Sequence, residues 1–72
     1  MKEFVLGIDV GGTSAKFGLV NIIGDVFHEG VVPTTGTTNV NEVLKPIHDA
    51  ISKVLSQNSD YRLVAAGIGA PN

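Results

Sequence analysis

Gly7-Ile8-Asp9-Val10-Gly11-Gly12-Thr13 is the stretch on which the reading of the fold turns. Upstream, Glu3 to Val10 is dense in apolar and β-branched residues and too short for a helix, so it reads as a strand. Gly11-Gly12 interrupts it. Thr13 to Val20 reads as a second strand, with Ala15, Phe17 and Leu19 alternating against Ser14, Lys16 and Gly18. Two strands across a Gly-Gly pair predict a hairpin, because glycine reaches the positive φ of tight hairpin turns. That hairpin sets the Asp9 carboxylate at a strand end beside a glycine turn. Successive N–H groups in such a turn form a concave nest that suits phosphate, and the Thr13 hydroxyl adds a donor. Asp9 itself repels phosphate, so its sensible role is to hold Mg²⁺, through water, since Mg²⁺ dehydrates reluctantly. Carboxylate, cation and turn together make a nucleotide-phosphate site. The bland alternative is a plain glycine hairpin with an incidental Asp. Two rival glycine motifs do not fit. A dinucleotide fingerprint runs G-x-G-x-x-G into a helix, whereas Thr13 to Leu19 looks like a strand, and the P-loop pattern G-x-x-x-x-G-K-[ST] is absent.

Working outward, Asn21 to Asp25 is a turn punctuated by Gly24-Asp25, and Val26 to Val32 is a third strand ended by Pro33, which cannot donate to a ladder. The start is therefore a three-stranded antiparallel meander. Thr34-Thr35-Gly36-Thr37-Thr38 reads as a plain polar loop. Asn39 to about Gln57 is the clearest helix. Val40, Val43, Leu44, Ile47, Ile51, Val54 and Leu55 share one face, Asn39 or Asn41 can cap the start, and Pro46 is the misfit. Leu63 to Gly69 is a fourth strand, and Ala70-Pro71-Asn72 begins a turn. The order is βββαβ, an α/β arrangement in which one helix covers one sheet face. Val5, Val20 and the other apolar residues of the opposite face need a further layer.

Composition narrows the classes. The chain has 72 residues, 43% of them apolar and 17% charged, which is too apolar for disorder. No apolar run approaches the ~20 residues that cross a bilayer. Phe4 to Ile8 is cut short by Asp9, which argues against a secretory leader. Net charge is −2 with scattered Lys and Arg, so neither nucleic acid nor an anionic membrane is an expected partner. There are no cysteines, which excludes disulfides, thiol chemistry and Cys-type zinc sites from these residues and fits the cytosol. A domain this small buries only about 60% of its unfolded surface. Marginal stability alone, and a place within something larger, are the expectations. His28 and His48 lie on different elements and read as solvated or packed; Glu42, Lys45, Asp49 and Lys53 read as the wet face of the helix.

At Gly7 to Thr13, with Lys16 and Leu19, the sequence resembles the first phosphate loop of sugar kinases in the actin-like ATPase superfamily. The Gly-Gly-Thr form is similar to hexokinases and most of all to the ROK family of bacterial glucokinases and sugar repressors. A second resemblance lies in Ala66-Gly67-Ile68-Gly69-Ala70-Pro71, which looks like the ROK strand that closes on a G-x-G-x-P turn near the sugar. The βββαβ order matches the start of the ribonuclease-H-like core of that superfamily. The resemblance implies a half-domain, residues 1–72 being a partial N-terminal lobe of an ATP-dependent kinase that moves the γ-phosphoryl group to a sugar hydroxyl. By similarity, Asp9 organises Mg²⁺; Gly11, Gly12 and Thr13 cradle the phosphates; Lys16 steadies them, or is only an exposed strand lysine. Gly69, Ala70 and Pro71 would sit near the sugar, or merely shape the turn.

The resemblance also implies what lies elsewhere. No catalytic base is expected within this chain; the family's Asp falls beyond Asn72, as do the sugar-binding Glu and His, the zinc element and the adenosine pocket. The chain alone is expected to be inert, and a cytoplasmic homo-oligomer is expected of the intact protein. Two rival classes carry different expectations. A ROK repressor fragment would place a helix-turn-helix upstream, where Met1 leaves no room, and need not keep Gly11-Gly12-Thr13 intact. A non-catalytic truncated module would self-associate through its bare sheet.

Overall fold

The computed structural model describes residues 2–36 and 39–69. Its elements are β1 (Lys2–Val10), β2 (Ser14–Val20), β3 (Val26–Pro33), α1 (Val40–Gln57) and β4 (Tyr61–Gly69). They form a four-stranded mixed sheet in the order β3-β2-β1-β4. β1, β2 and β3 are the antiparallel meander, and β4 adds parallel to β1. A parallel neighbour cannot be reached by a hairpin, and α1 supplies the crossover from one sheet edge to the other. The expected βββαβ half-domain is what the chain adopts.

Period-two alternation decides the layers. Phe4, Leu6 and Ile8 of β1 and Ala15 and Leu19 of β2 are buried with Val43, Ile47 and Ile51 of α1. Their strand neighbours Val5, Asp9 and Lys16 fall on the opposite face, which no helix covers. The helix start follows the cap prediction: the Asn39 side chain accepts from the Asn41 N–H at 2.9 Å. Pro46 is accommodated inside α1 on its exposed side, so the apolar stripe outweighs the one lost backbone bond. Val40 departs from the expected stripe; at 65% exposure it lies outside the core.

Strand boundaries shift by one or two residues. β4 begins at Tyr61 because the Lys2 N–H donates to the Asp60 carbonyl at 2.7 Å and the Tyr61 ring lies 4.6 Å from Phe4. Thr13 stays in the turn. β3 carries a bulge: between the pairs Phe17↔Gly30 and Leu19↔Phe27, His28 and Glu29 oppose Gly18 alone. His28 takes φ +54° there, and its Nε2 lies 3.2 Å from the Tyr61 hydroxyl. Gly30 is required beside the bulge, because a Cβ at that position would run into the Phe17 ring.

Candidate functional site

β1 and β2 deliver the site as a register relation. Asp9 pairs with Lys16 across the antiparallel ladder and with Gly69 across the parallel one. Two motifs sixty positions apart in the chain thus meet in one row, Lys16–Asp9–Gly69, at the same level of three adjacent strands. Asp9 and Lys16 are both exposed, and neither forms an ion pair among the described residues. The row borders a furrow of about 340 Å³ on the uncovered face. Gly7, Gly18 and Gly67, neighbours across three strands, line it. Ala70 and Pro71 lie outside the described residues.

The loop from Gly11 to Thr13 joins β1 to β2 at the end of this row. The Gly11 N–H donates to the Ser14 carbonyl at 2.8 Å and closes the turn. From β3's exit, the Thr34 N–H donates to the Thr13 carbonyl at 3.0 Å, and the Thr34 hydroxyl donates to the Gly11 carbonyl at 3.4 Å. Two of the loop's acceptors are therefore engaged. Its donors are not: the N–H groups of Gly12 and Thr13 have no hydrogen-bond partner among the described residues. A loop with its carbonyls tied back and two successive N–H groups free presents net positive dipole to solvent.

One expectation about this turn needs correction. Neither Gly11 nor Gly12 adopts positive φ; the glycines that do are Gly24 and Gly36. Gly11 is needed for space instead, since a Cβ there would sit 3.1 Å from the Ser14 carbonyl oxygen. At Gly12 a Cβ would meet nothing within 4 Å. Among the described residues no contact accounts for a glycine at position 12, which leaves open space beside the loop.

Among the described residues no cluster of three metal-ligating side chains occurs. A single exposed carboxylate is still compatible with Mg²⁺, which protein sites often hold through one or two carboxylates plus phosphate and water. It does not fit zinc. His48 and Asp49 approach each other at 3.6 Å, on the exposed side of α1 and away from the loop. Among the described residues no helix is long and apolar enough to cross a membrane.

No family model matches the chain. A curated glucokinase from Halalkalibacterium halodurans is 32% identical over 71 residues, covering 96% of this chain and 22% of the relative. A Cytophaga hutchinsonii protein assigned as a sugar kinase superposes with a TM-score of 0.61 at 35% identity, over 92% of this chain and 21% of its own. A ROK-family glucokinase from Streptomyces griseus, solved with glucose and AMPPNP, gives a TM-score of 0.67 at 25% identity, over 93% and 20%. Over nearly its whole length the chain is similar to part of sugar kinases, a ROK-family glucokinase among them. The resemblance first seen at Gly7 to Thr13 is thereby borne out, and so is the half-domain fold. The chain spans about a fifth of the length of the relatives it matches.

Thr34 is the participant that sequence reasoning passed over. It falls in a threonine-rich connector that reads as loop, and only the pairing of β2 with β3 brings it to Gly11 and Thr13. His28 likewise gave no signal for its bulge.

Proposed function

We propose that residues 1–72 are the phosphate-binding part of the N-terminal lobe of an ATP-dependent hexose kinase. The N–H groups of Gly12 and Thr13 and the Asp9 carboxylate, none of which has a partner among the described residues, carry this reading. In the intact enzyme the γ-phosphoryl group of ATP passes to a sugar hydroxyl, glucose being the first candidate, since the glucokinase relatives support that class. Gly11, Gly12 and Thr13 surround the β- and γ-phosphates, which present oxygen acceptors to the loop's donors. Lys16, on the next strand, adds a positive charge in the same row. Asp9 holds Mg²⁺ through water; the cation, when bound, offsets phosphate charge. Gly69, with Ala70 and Pro71, borders the sugar.

No residue here is assigned as the base for the sugar hydroxyl. His48 lies outside the site, Asp9 is committed to the cation, and Glu29, which lines the furrow from the β3 bulge beside Asp9 and Lys16, is given no role in the transfer. The base, the adenosine pocket and any zinc element belong to the remaining four-fifths of the relatives' length. The chain alone therefore binds phosphate without transferring it. The intact protein is placed in the cytoplasm, as a homo-oligomer, with sugar and nucleotide as its partners and no nucleic acid or membrane.

The test is an amide-resolved NMR titration of the chain with tripolyphosphate, with and without Mg²⁺. Shifts are expected to centre on Gly12 and Thr13. Asp9→Asn separates the roles by sign. It strengthens binding of the metal-free anion, because a repulsive charge is gone, and weakens binding of the Mg²⁺ complex. Loss of affinity in both arms would show that Asp9 supports the loop rather than a cation. Shifts scattered over the sheet and absent from Gly12 would sink the reading.

A further inference from the structure

The Gly11–Gly12 peptide is the weak point of the loop. A peptide unit with glycine on both sides can rotate about its flanking bonds with little steric penalty. Rotation by half a turn would replace the Gly12 N–H with the Gly11 carbonyl, turning a donor for an anion into a repulsive acceptor. Something must hold the orientation, and the loop's own bond, Gly11 N–H to Ser14, acts on the preceding peptide unit rather than on this one.

We infer that Thr34 is a positioning residue for the phosphate loop: its hydroxyl, by holding the Gly11 carbonyl, fixes the direction of the Gly12 N–H. The inference rests on the phosphate reading above. The geometry is that of one rigid plane. No cis peptide bond occurs among the described residues, so the Gly11 C=O and the Gly12 N–H are antiparallel members of a trans unit. Pinning the oxygen at 3.4 Å from the Thr34 Oγ1 therefore aims the hydrogen to the opposite side. Polarisation runs the same way, since a carbonyl that accepts a bond makes the N–H of its own peptide a better donor. The Thr34 side chain is itself held in place, because its N–H donates to the Thr13 carbonyl at 3.0 Å and prolongs the β2–β3 ladder by one step beyond Ser14↔Pro33. β3 thus contributes to the site without touching the anion, and the meander's third strand acquires a functional reason to end where it does.

Thr34→Val removes only the hydroxyl and keeps shape and backbone bond; Thr34→Ser restores the donor. Two readouts on the 72-residue chain separate the possibilities. The first needs no ligand: amide relaxation and residual dipolar couplings at Gly12. Thr34→Val is expected to lower Gly12 order and change its N–H direction while the couplings of β1, β2 and β4 stay put. Thr34→Ser is expected to match the wild type. The second is tripolyphosphate affinity, expected to fall about twofold to threefold in Thr34→Val, the low end of what one hydrogen bond contributes because the contact is long and exposed, and to be rescued in Thr34→Ser. Unchanged Gly12 couplings in Thr34→Val would overturn the proposal, and so would an undispersed spectrum of the wild-type chain, in which the bond could not exist. A wild-type chain that ignores tripolyphosphate, yet shows the Gly12 response to Thr34→Val, would refute the phosphate reading and leave the orienting contact standing.

Discussion

Alanine at position 12 should make the chain more stable and worse at holding phosphate. A Cβ at Gly12 would meet nothing within 4 Å, and the residue's φ lies outside the left-handed region. The folded state therefore accepts alanine without strain, while the unfolded chain loses freedom. Such replacements stabilise by about 0.4–1 kcal/mol. In a domain of this size each kcal/mol moves Tm by about 4–8 °C, so a rise of roughly 2–8 °C is expected. The methyl group, however, occupies the space through which an anion would reach the free N–H groups. Loss of one charge-assisted bond corresponds to roughly tenfold or more in affinity. Gly11→Ala is the control with the opposite stability effect, because its Cβ would press on the Ser14 carbonyl at 3.1 Å and open the turn. Thermal melts by circular dichroism and the tripolyphosphate titration read both quantities. A fall in Tm for Gly12→Ala would refute the account of the loop. Unchanged affinity would mean that no anion approaches position 12.

Other consequences are simpler to check. Ile47 is 1% exposed at the centre of the helix–sheet contact, so Ile47→Ala should cost about 2–5 kcal/mol and leave so small a domain largely unfolded by circular dichroism at 25 °C. Asn39→Ala removes the helix cap and should lower stability by about 1 kcal/mol in urea unfolding, with m unchanged. Gly30→Ala should destabilise by about 1–3 kcal/mol through collision with the Phe17 ring, and most of that penalty should vanish in a Phe17→Leu background. The uncovered sheet face, where Val26 and Val31 are 48% and 62% exposed, should make the isolated chain associate with itself. Sedimentation should show a concentration-dependent mass that Val26→Lys with Val31→Lys abolishes, and a monomer at every concentration would contradict it.

The elements were legible because each is written in a single period. Ala15, Phe17 and Leu19 alternate, and Val43, Ile47 and Ile51 recur at helical spacing, so both strand and helix follow from local pattern alone. The Asn39 cap is equally local. What was not legible depends on pairing between segments. Thr34 acquires its role only when β3 lies against β2, and nothing in Thr34-Thr35-Gly36 indicates which threonine will do so. The bulge at His28 answers the packing of Phe17 over Gly30, a relation between two strands. The glycine turn shows the limit most clearly. Gly11-Gly12 does break the strand, yet neither glycine takes positive φ; a close carbonyl lies at one and open space at the other.

The proposed separation of phosphate binding from catalysis follows from how open this chain is. Its accessible surface is 4963 Å², whereas a compact chain of its mass has about 4,250 Å². The surplus of about 700 Å² approaches the ~800 Å² that one partner buries in an ordinary interface. The shape agrees: extents of 38 × 23 × 15 Å describe a slab one sheet and one helix thick. Lys16, Asp9 and Gly69 all lie on the bare side of that slab, at its end. Dipoles and charges in such a place act through bulk water, where a pair of unit charges 4 Å apart is worth only about 1 kcal/mol. Phosphoryl transfer relies on positioning and charge neutralisation in a closed, drier site. Two of the loop's three carbonyls, those of Gly11 and Thr13, are already held by Thr34 before any cover arrives. The electrostatic strength of the row, by contrast, waits on whatever layer occupies the bare face.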